Sequence, residues 1–247
     1  MNASRPILQR GLSYLSNIAG LPFDVAPYRL SGVVYGALLN QRGALAALGD
    51  AASGPPYKAP PKAPVLYVKP RNTLNGPDAE VTVPADAPEL EVGATLGVVF
   101  GRTACRVPAE RALEFVAGYT IVNDVSVPHA SYYRPSIRYK ARDGFCCIGP
   151  AVVARERIAD PDALDIRVYV DGRLAQQGST RELIRPVRRL IADVTDFMTL
   201  APGDLLLVGV PPGAPRVRAG QRAAIEIEAL GRLETAFVAA AGTERAA

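Results

Sequence analysis

Asp124, His129, Lys140 and Asp143 fall within one stretch, Gly118–Pro150 (GYTIVNDVSVPHASYYRPSIRYKARDGFCCIGP), which holds the chain's only histidine and two of its three cysteines. A carboxylate beside a lysine can move a proton or stabilise a developing negative charge, and a histidine titrates near neutrality and can act as acid or base. Tyr132, Tyr133, Arg134 and Arg138 in the same stretch suit the clamping of a di- or tricarboxylate. Each group also has a plainer role. Asp124 and Lys140 can form a structural ion pair, His129 can be a solvated loop residue, and the Tyr/Arg loop can be a subunit contact. Polar residues crowded between apolar strands mark the place to look for a small-molecule site.

The elements that must position these groups are legible from periodicity. Tyr119–Val122 reads as a strand that carries Asn123 and Asp124 to its end. Val65–Lys69 reads as a short strand presenting Lys69 just before Pro70, and Ala79–Val83 as another. Pro108–Val116 reads as a helix stopped at Gly118, and Gly149-Pro150 as a turn. Asp171-Gly172 between alternating runs is a type I′ hairpin signal, with Gln176 and Thr180 at the end of the return strand. Those two residues serve either the substrate or the caps of the hairpin and the next helix. Val187, Leu190, Ile191, Val194 and Phe197 recur at helical spacing, and two more strands, near Ala224–Glu228 and Glu234–Ala239, close the chain. The segment Glu89–Arg102 holds three glycines in a β-rich run, which signals a bulge or close backbone approach and does not match a nucleotide loop. There is no regular βα alternation, so the reading is a β-rich α+β domain with two helices.

Composition narrows the class. Hydrophobic residues make up 49% of 247, enough for a substantial core, and the net charge of +4 is spread along the chain. The Arg-rich run 181–189 lies on an amphipathic helix without interleaved aromatics, so nucleic acid is not an expected partner. An odd cysteine count with Cys146 and Cys147 adjacent argues against disulfides and against a zinc knuckle. With no signal-peptide layout and no long apolar run, the expectation is a cytoplasmic protein without a membrane span. Ala51–Pro64 has five prolines and little periodicity. The expected organisation is therefore an appendage and Pro-rich linker over residues 1–64, then one domain over 65–247.

Several landmarks run in one order. They are Lys69-Pro70, Gly118-Tyr-Thr-Ile-Val-Asn-Asp124, Lys140-Ala-Arg-Asp143-Gly-Phe145, Asp171-Gly172 with Gln176, and Gly203-Asp204 leading to Gly209-Val-Pro211. In this order they resemble the fumarylacetoacetate hydrolase family, whose fold is built of mixed β-sheets with a few short helices. Within it, YKAPPKAPVLYVKPRNTL and NDVSVPHASYYRPSIRYKARDGFC resemble the N-terminal half, or separate subunit, of the isomerase/decarboxylases of 4-hydroxyphenylacetate (homoprotocatechuate) breakdown. The resemblance implies a small 2-oxo acid substrate, a homodimer or a pairing with a homologous metal-binding subunit, and Mg2+ or Mn2+ held by three carboxylates. By the same resemblance Asp124 is the third metal carboxylate, Lys140 a catalytic lysine and Gln176 a substrate-facing amide, while Lys69, Arg134 and Arg138 are the further substrate-binding candidates that the residues themselves offer. The family's Glu-x-Glu pair is replaced here by Gly93 and Thr95, which leaves the metal set incomplete.

Overall fold

Two strands that cannot alternate set the frame. Residues 94–100 (ATLGVVF) and 116–124 (VAGYTIVND) are buried at every position, so both faces of the sheet they form are covered. The computed structural model describes residues 33–240. The strands, in chain order, are β1 (Val34–Leu38), β2 (Val65–Lys69), β3 (Leu74–Asn75), β4 (Ala79–Val83), β5 (Leu90–Glu91), β6 (Ala94–Phe100) and β7 (Val116–Asp124). There follow β8 (Cys146–Ala154), β9 (Asp165–Val170), β10 (Arg173–Ser179), β11 (Leu205–Leu207), β12 (Arg216–Val217), β13 (Arg222–Ile227) and β14 (Gly231–Ala239). Among the described residues three short α-helices join them: α1 (Arg42–Ala46), α2 (Ile137–Lys140) and α3 (Val187–Thr195).

Seven strands form one mixed sheet in the order β2-β1-β11-β6-β7-β8-β3, and five form a second in the order β10-β9-β13-β14-β4. The pair β12-β5 stands apart. Alternate residues of the central strands feed two cores. Leu96, Val98, Phe100, Tyr119 and Ile121 pack with Val168, Ile225, Leu233 and Phe237 of the second sheet and with Val187, Leu190, Ile191 and Val194 of α3. Val99, Val122, Ile148, Leu205 and Leu207 form the other cluster. Each such side chain contributes about 1.5–3 kcal/mol when fully buried.

The fold is the strand-rich α+β arrangement expected, and local differences have local causes. The segment after Pro108 is a 3-10 turn (Ala109–Phe115) and not an α-helix, and β7 begins directly at Val116. Gly118 therefore lies inside a strand, where a Cβ would stand 2.3 Å from the carbonyl oxygen of Val153. Gly149-Pro150 lies inside β8, beside a shift of register against β7, and ends nothing. Phe197 falls beyond α3 and is 66% exposed, so it does not extend the apolar stripe. The type I′ hairpin is present, with Asp171 and Gly172 both at positive φ (48° and 77°).

Of the expected appendage, residues 1–32 lie outside the described residues. Residues 34–38 form β1, which sits between β2 and β11 in the large sheet and pairs with Lys69 through Val34. The seven-stranded sheet thus crosses the expected boundary at residue 64. No helix among the described residues is long and apolar enough to cross a membrane.

Candidate active site

Alternation along β2 places Tyr67 and Lys69 on one buried face and turns Val68 outward. Across from them β7 ends at Asp124, wholly buried, and α2 ends at Lys140. Lys69 Nζ donates to the carbonyls of Val125 (2.8 Å), Lys140 (2.8 Å) and Phe145 (2.7 Å). These three bonds use all its protons, so Asp124 Oδ1, 2.7 Å away, is held by charge and not by a hydrogen bond. Lys140 Nζ donates to Asp124 Oδ2 at 2.6 Å, and the Tyr67 hydroxyl donates to the same oxygen. Lys140 Nζ also lies 4.8 Å from the centre of the Tyr67 ring. The ring fits because residue 36 is glycine: a Cβ there would fall 2.1 Å from Tyr67 Cζ.

The electrostatics follow from burial against charge. Burial alone would raise the pKa of Asp124, but the charges of Lys140 and Lys69 outweigh it and hold the carboxyl at about 2. Burial pulls Lys69 below the ordinary lysine range, and the charge of Asp124 opposes that pull. Burial, then the Asp124 charge, drives the Tyr67 phenol well above its usual value. Cys146 and Cys147, packed behind this cluster, are pushed up by burial, Cys147 to about 12, which makes them inert thiols.

The cluster forms one wall of a cleft of about 340 Å3. Tyr67, Asp124 and Lys140 line it together with Glu91, Ser126, His129, Tyr132, Arg216 and Val210–Ala214. His129 Nδ1 lies 2.9 Å from the carbonyl of Val127, to which it donates, and Nε2 is buried with no hydrogen-bond partner among the described residues. Its ring stacks on Tyr139 at 4.8 Å. A shallower depression of about 560 Å3 at Asp165, Arg167, Glu226 and Glu228 lies on the five-stranded sheet. Within it Asp165 is paired with Arg181 at 2.8 Å and Glu226 with Arg232 at 2.7 Å.

Of the residues singled out from the sequence, Asp124, Lys140 and His129 line the cleft, and Lys69 stands directly behind Asp124. Gln176 is not a lining residue; its Nε2 donates to the carbonyls of Pro211 (3.1 Å) and Pro212 (2.8 Å) and so braces the opposite wall. Arg134 and Arg138 are exposed, and Arg138 lies 3.9 Å from Asp86 outside the cleft. Asp143 accepts from Asn72 at 2.8 Å, away from Asp124. Tyr67, Ser126 and Arg216 went unassigned in the sequence. Tyr67 had a signal in the alternation that places it on the same strand face as Lys69.

A chain folded in this way matches known proteins along most of its length. The family model for the fumarylacetoacetate (FAA) hydrolase C-terminal domain matches residues 33–238. The chain belongs to the fumarylacetoacetate hydrolase family. It is 38% identical over 209 residues to the 4-hydroxyphenylacetate degradation bifunctional isomerase/decarboxylase of Escherichia coli, covering 85% of this chain and 48% of that protein. The chain thus spans about half the length of that relative. The structure superposes on 5-carboxymethyl-2-hydroxymuconate delta-isomerase from Mycobacterium smegmatis with a TM-score of 0.74 at 32% identity, covering 88% of this chain and 82% of the other. It also matches maleylpyruvate hydrolase from Sphingobium sp. SYK-6, solved with manganese and pyruvate, with a TM-score of 0.70 at 27% identity over 85% of this chain and 71% of the other.

The family's metal does not fit the residues present. Asp124 has both oxygens engaged, by Lys69 on one side and by Lys140 and Tyr67 on the other. Gly93 offers no ligand, and a Cβ there would stand 2.2 Å from the carbonyl oxygen of Asp124. Thr95 Oγ1 is turned to Gly209, donating to its carbonyl (3.0 Å) and lying 3.2 Å from its N–H. Glu89 is paired outside with Arg218 at 2.6 Å. Among the described residues no three His, Cys, Asp or Glu side chains converge as a metal-ligating group.

Proposed function

We propose that this chain is a decarboxylase/isomerase of 2-oxo acids in 4-hydroxyphenylacetate catabolism, acting on 5-carboxymethyl-2-oxo-hex-3-ene-1,7-dioate and on its product 2-hydroxyhepta-2,4-diene-1,7-dioate. The observation that carries this reading is the ammonium of Lys140, fixed on Asp124 at the wall of the cleft. Of the two lysines on Asp124 it is the one with any exposure, 8% against 0% for Lys69, so it is the cation a ligand can reach. Both reactions pass through an enolate, and a preorganised positive charge in a partly dehydrated cleft stabilises that charge as it forms. Lys69 holds Asp124, and Asp124 holds Lys140 in place. His129, held in one tautomer by Val127, presents a nitrogen that can accept a proton. The exposed Arg134 and Arg138 draw the polyanionic substrate by long-range attraction.

A second reading is favoured by the missing glutamates and by the span of about half of the bifunctional relative. In it the chain supports a metal-binding homologue, with exposed Tyr133, Ile137 and Tyr139 as the contact. One measurement separates the two: turnover of both acids by the purified chain, followed by ultraviolet absorbance, with Mg2+ and then with a chelator. The first reading expects turnover that resists the chelator. Turnover abolished by the chelator would sink the metal-free site. No turnover until the homologue is added would replace the first reading with the second.

A further inference from the structure

We propose that Glu91 is a proton-carrying catalytic residue of the cleft. This rests on the reading of the cleft as a 2-oxo acid site and adds, beside the His129 of that reading, a second cleft group that carries a proton. Stabilising an enolate is half of an isomerisation; a base must also remove a proton from one atom and an acid return one to another. Asp124 is poorly suited to this. Its oxygens are occupied by two ammoniums and a phenol, and its carboxyl, held at about 2, binds a proton weakly.

Glu91 is the other carboxylate lining the cleft. Leu90 and Val92 on either side of it are fully buried, so alternation turns Glu91 the opposite way. Its backbone is fastened to Ser126, two residues past Asp124, through Glu91 N to Ser126 O (2.8 Å) and Ser126 N to Glu91 O (3.3 Å). The carboxylate accepts one long hydrogen bond, from Ser126 Oγ at 3.4 Å. Among the described residues no lysine or arginine is within ion-pair distance of it. Arg216, its rung partner across the β5–β12 ladder, turns to Glu89 at 3.5 Å instead. The cleft therefore has one carboxylate neutralised by lysines and one left available to exchange a proton.

The step balances without a further reactant. For a 2-hydroxydiene becoming a 2-oxo-ene, the enol O–H bond breaks, a C–H bond forms and the double bonds shift by one position. The proton that Glu91 gives to carbon is replaced by the one released from the hydroxyl, while Lys140 holds the oxygen as its charge develops.

The test uses the full chain and two probes. Deuterium exchange at C3 of 2-oxoglutarate in D2O, read by NMR, asks only for enolisation, and ketonisation of 2-hydroxyhepta-2,4-diene-1,7-dioate asks for the proposed substrate. E91Q and E91A are expected to slow both by about 10²–10⁴-fold with KM within a few-fold of wild type. Added formate is expected to restore E91A, whose cavity it can enter, and to leave E91Q slow. Exchange by E91Q within threefold of wild type, or loss in E91A that formate does not restore, overturns the proposal. Exchange that depends on Glu91 with no turnover of the diene upholds it and removes only the named substrate. A wild-type chain that catalyses neither process overturns both.

Discussion

Asp124 is a buried carboxylate whose surroundings make it worth more to stability than to proton transfer. Its folded pKa of about 2 lies below the ordinary aspartate value of about 3.9. The stability it contributes is therefore fully present above the unfolded value and is lost as pH falls through the folded one. A shift of this size corresponds to about 2–3 kcal/mol. Denaturant titrations from pH 6 to pH 2 are expected to show that loss in wild type. Asp124→Asn is expected to lack this dependence and to be weaker at neutral pH by about 3–5 kcal/mol, because two lysines lose their counter-charge. Lys140→Met makes the complementary test of function. It removes the only ammonium of the pair that reaches the cleft and is expected to lower kcat by about 10²–10³-fold, as loss of an oxyanion-stabilising donor does. A kcat within a few-fold of wild type would assign the Lys140–Asp124 pair to structure alone.

At the scale of elements, the ends of β7 and β5 and the start of β6 meet so closely that glycine at 93 is a packing requirement. Asp124 N donates to Gly93 O at 2.8 Å, and Asn123 Oδ1 accepts from Gly93 N at 3.1 Å. Gly93→Ala is expected to cost about 1–3 kcal/mol by forcing the strands apart, measurable by urea denaturation. For the same reason, installing glutamates at 93 and 95 together is not expected to rebuild a divalent-metal site. Calorimetric titration of that double variant with Mn2+ is expected to show no binding, and tight one-to-one binding would show that the strand ends can yield. Ile121, on the buried face between the two sheets, is an ordinary core residue, and Ile121→Ala is expected to cost about 2–5 kcal/mol.

At the scale of the whole molecule, β1 joins the edge strand β2 to the rest of the large sheet. It pairs with β2 over five residue positions and runs parallel to β11 on its other side. A chain starting at Val65 would lose the strand that joins β2, and with it Tyr67 and Lys69, to the rest of the sheet. That fragment is expected to show no cooperative thermal transition in calorimetry; a sharp one would establish residues 65–247 as a unit that folds alone.

Much of the site was legible in the chain itself, for a definite reason. Strand alternation, the apolar face of α3 and the Asp171-Gly172 turn are set by neighbours within a few residues. The same local order placed Asp124 at a strand end and carried the family resemblance through Lys69, Asp124 and Lys140. What lay beyond it depends on contacts far apart in sequence. The closure of Lys69 on the carbonyls of Val125, Lys140 and Phe145, the gap at Gly36 that admits Tyr67, and the turning of Arg216 from Glu91 to Glu89 each join distant segments. Sequence by itself determined which charged groups the chain owns and the strands that carry them. Only the tertiary structure decided which of those charges cancel and which stay free, because pairing is set by distances that local periodicity does not encode.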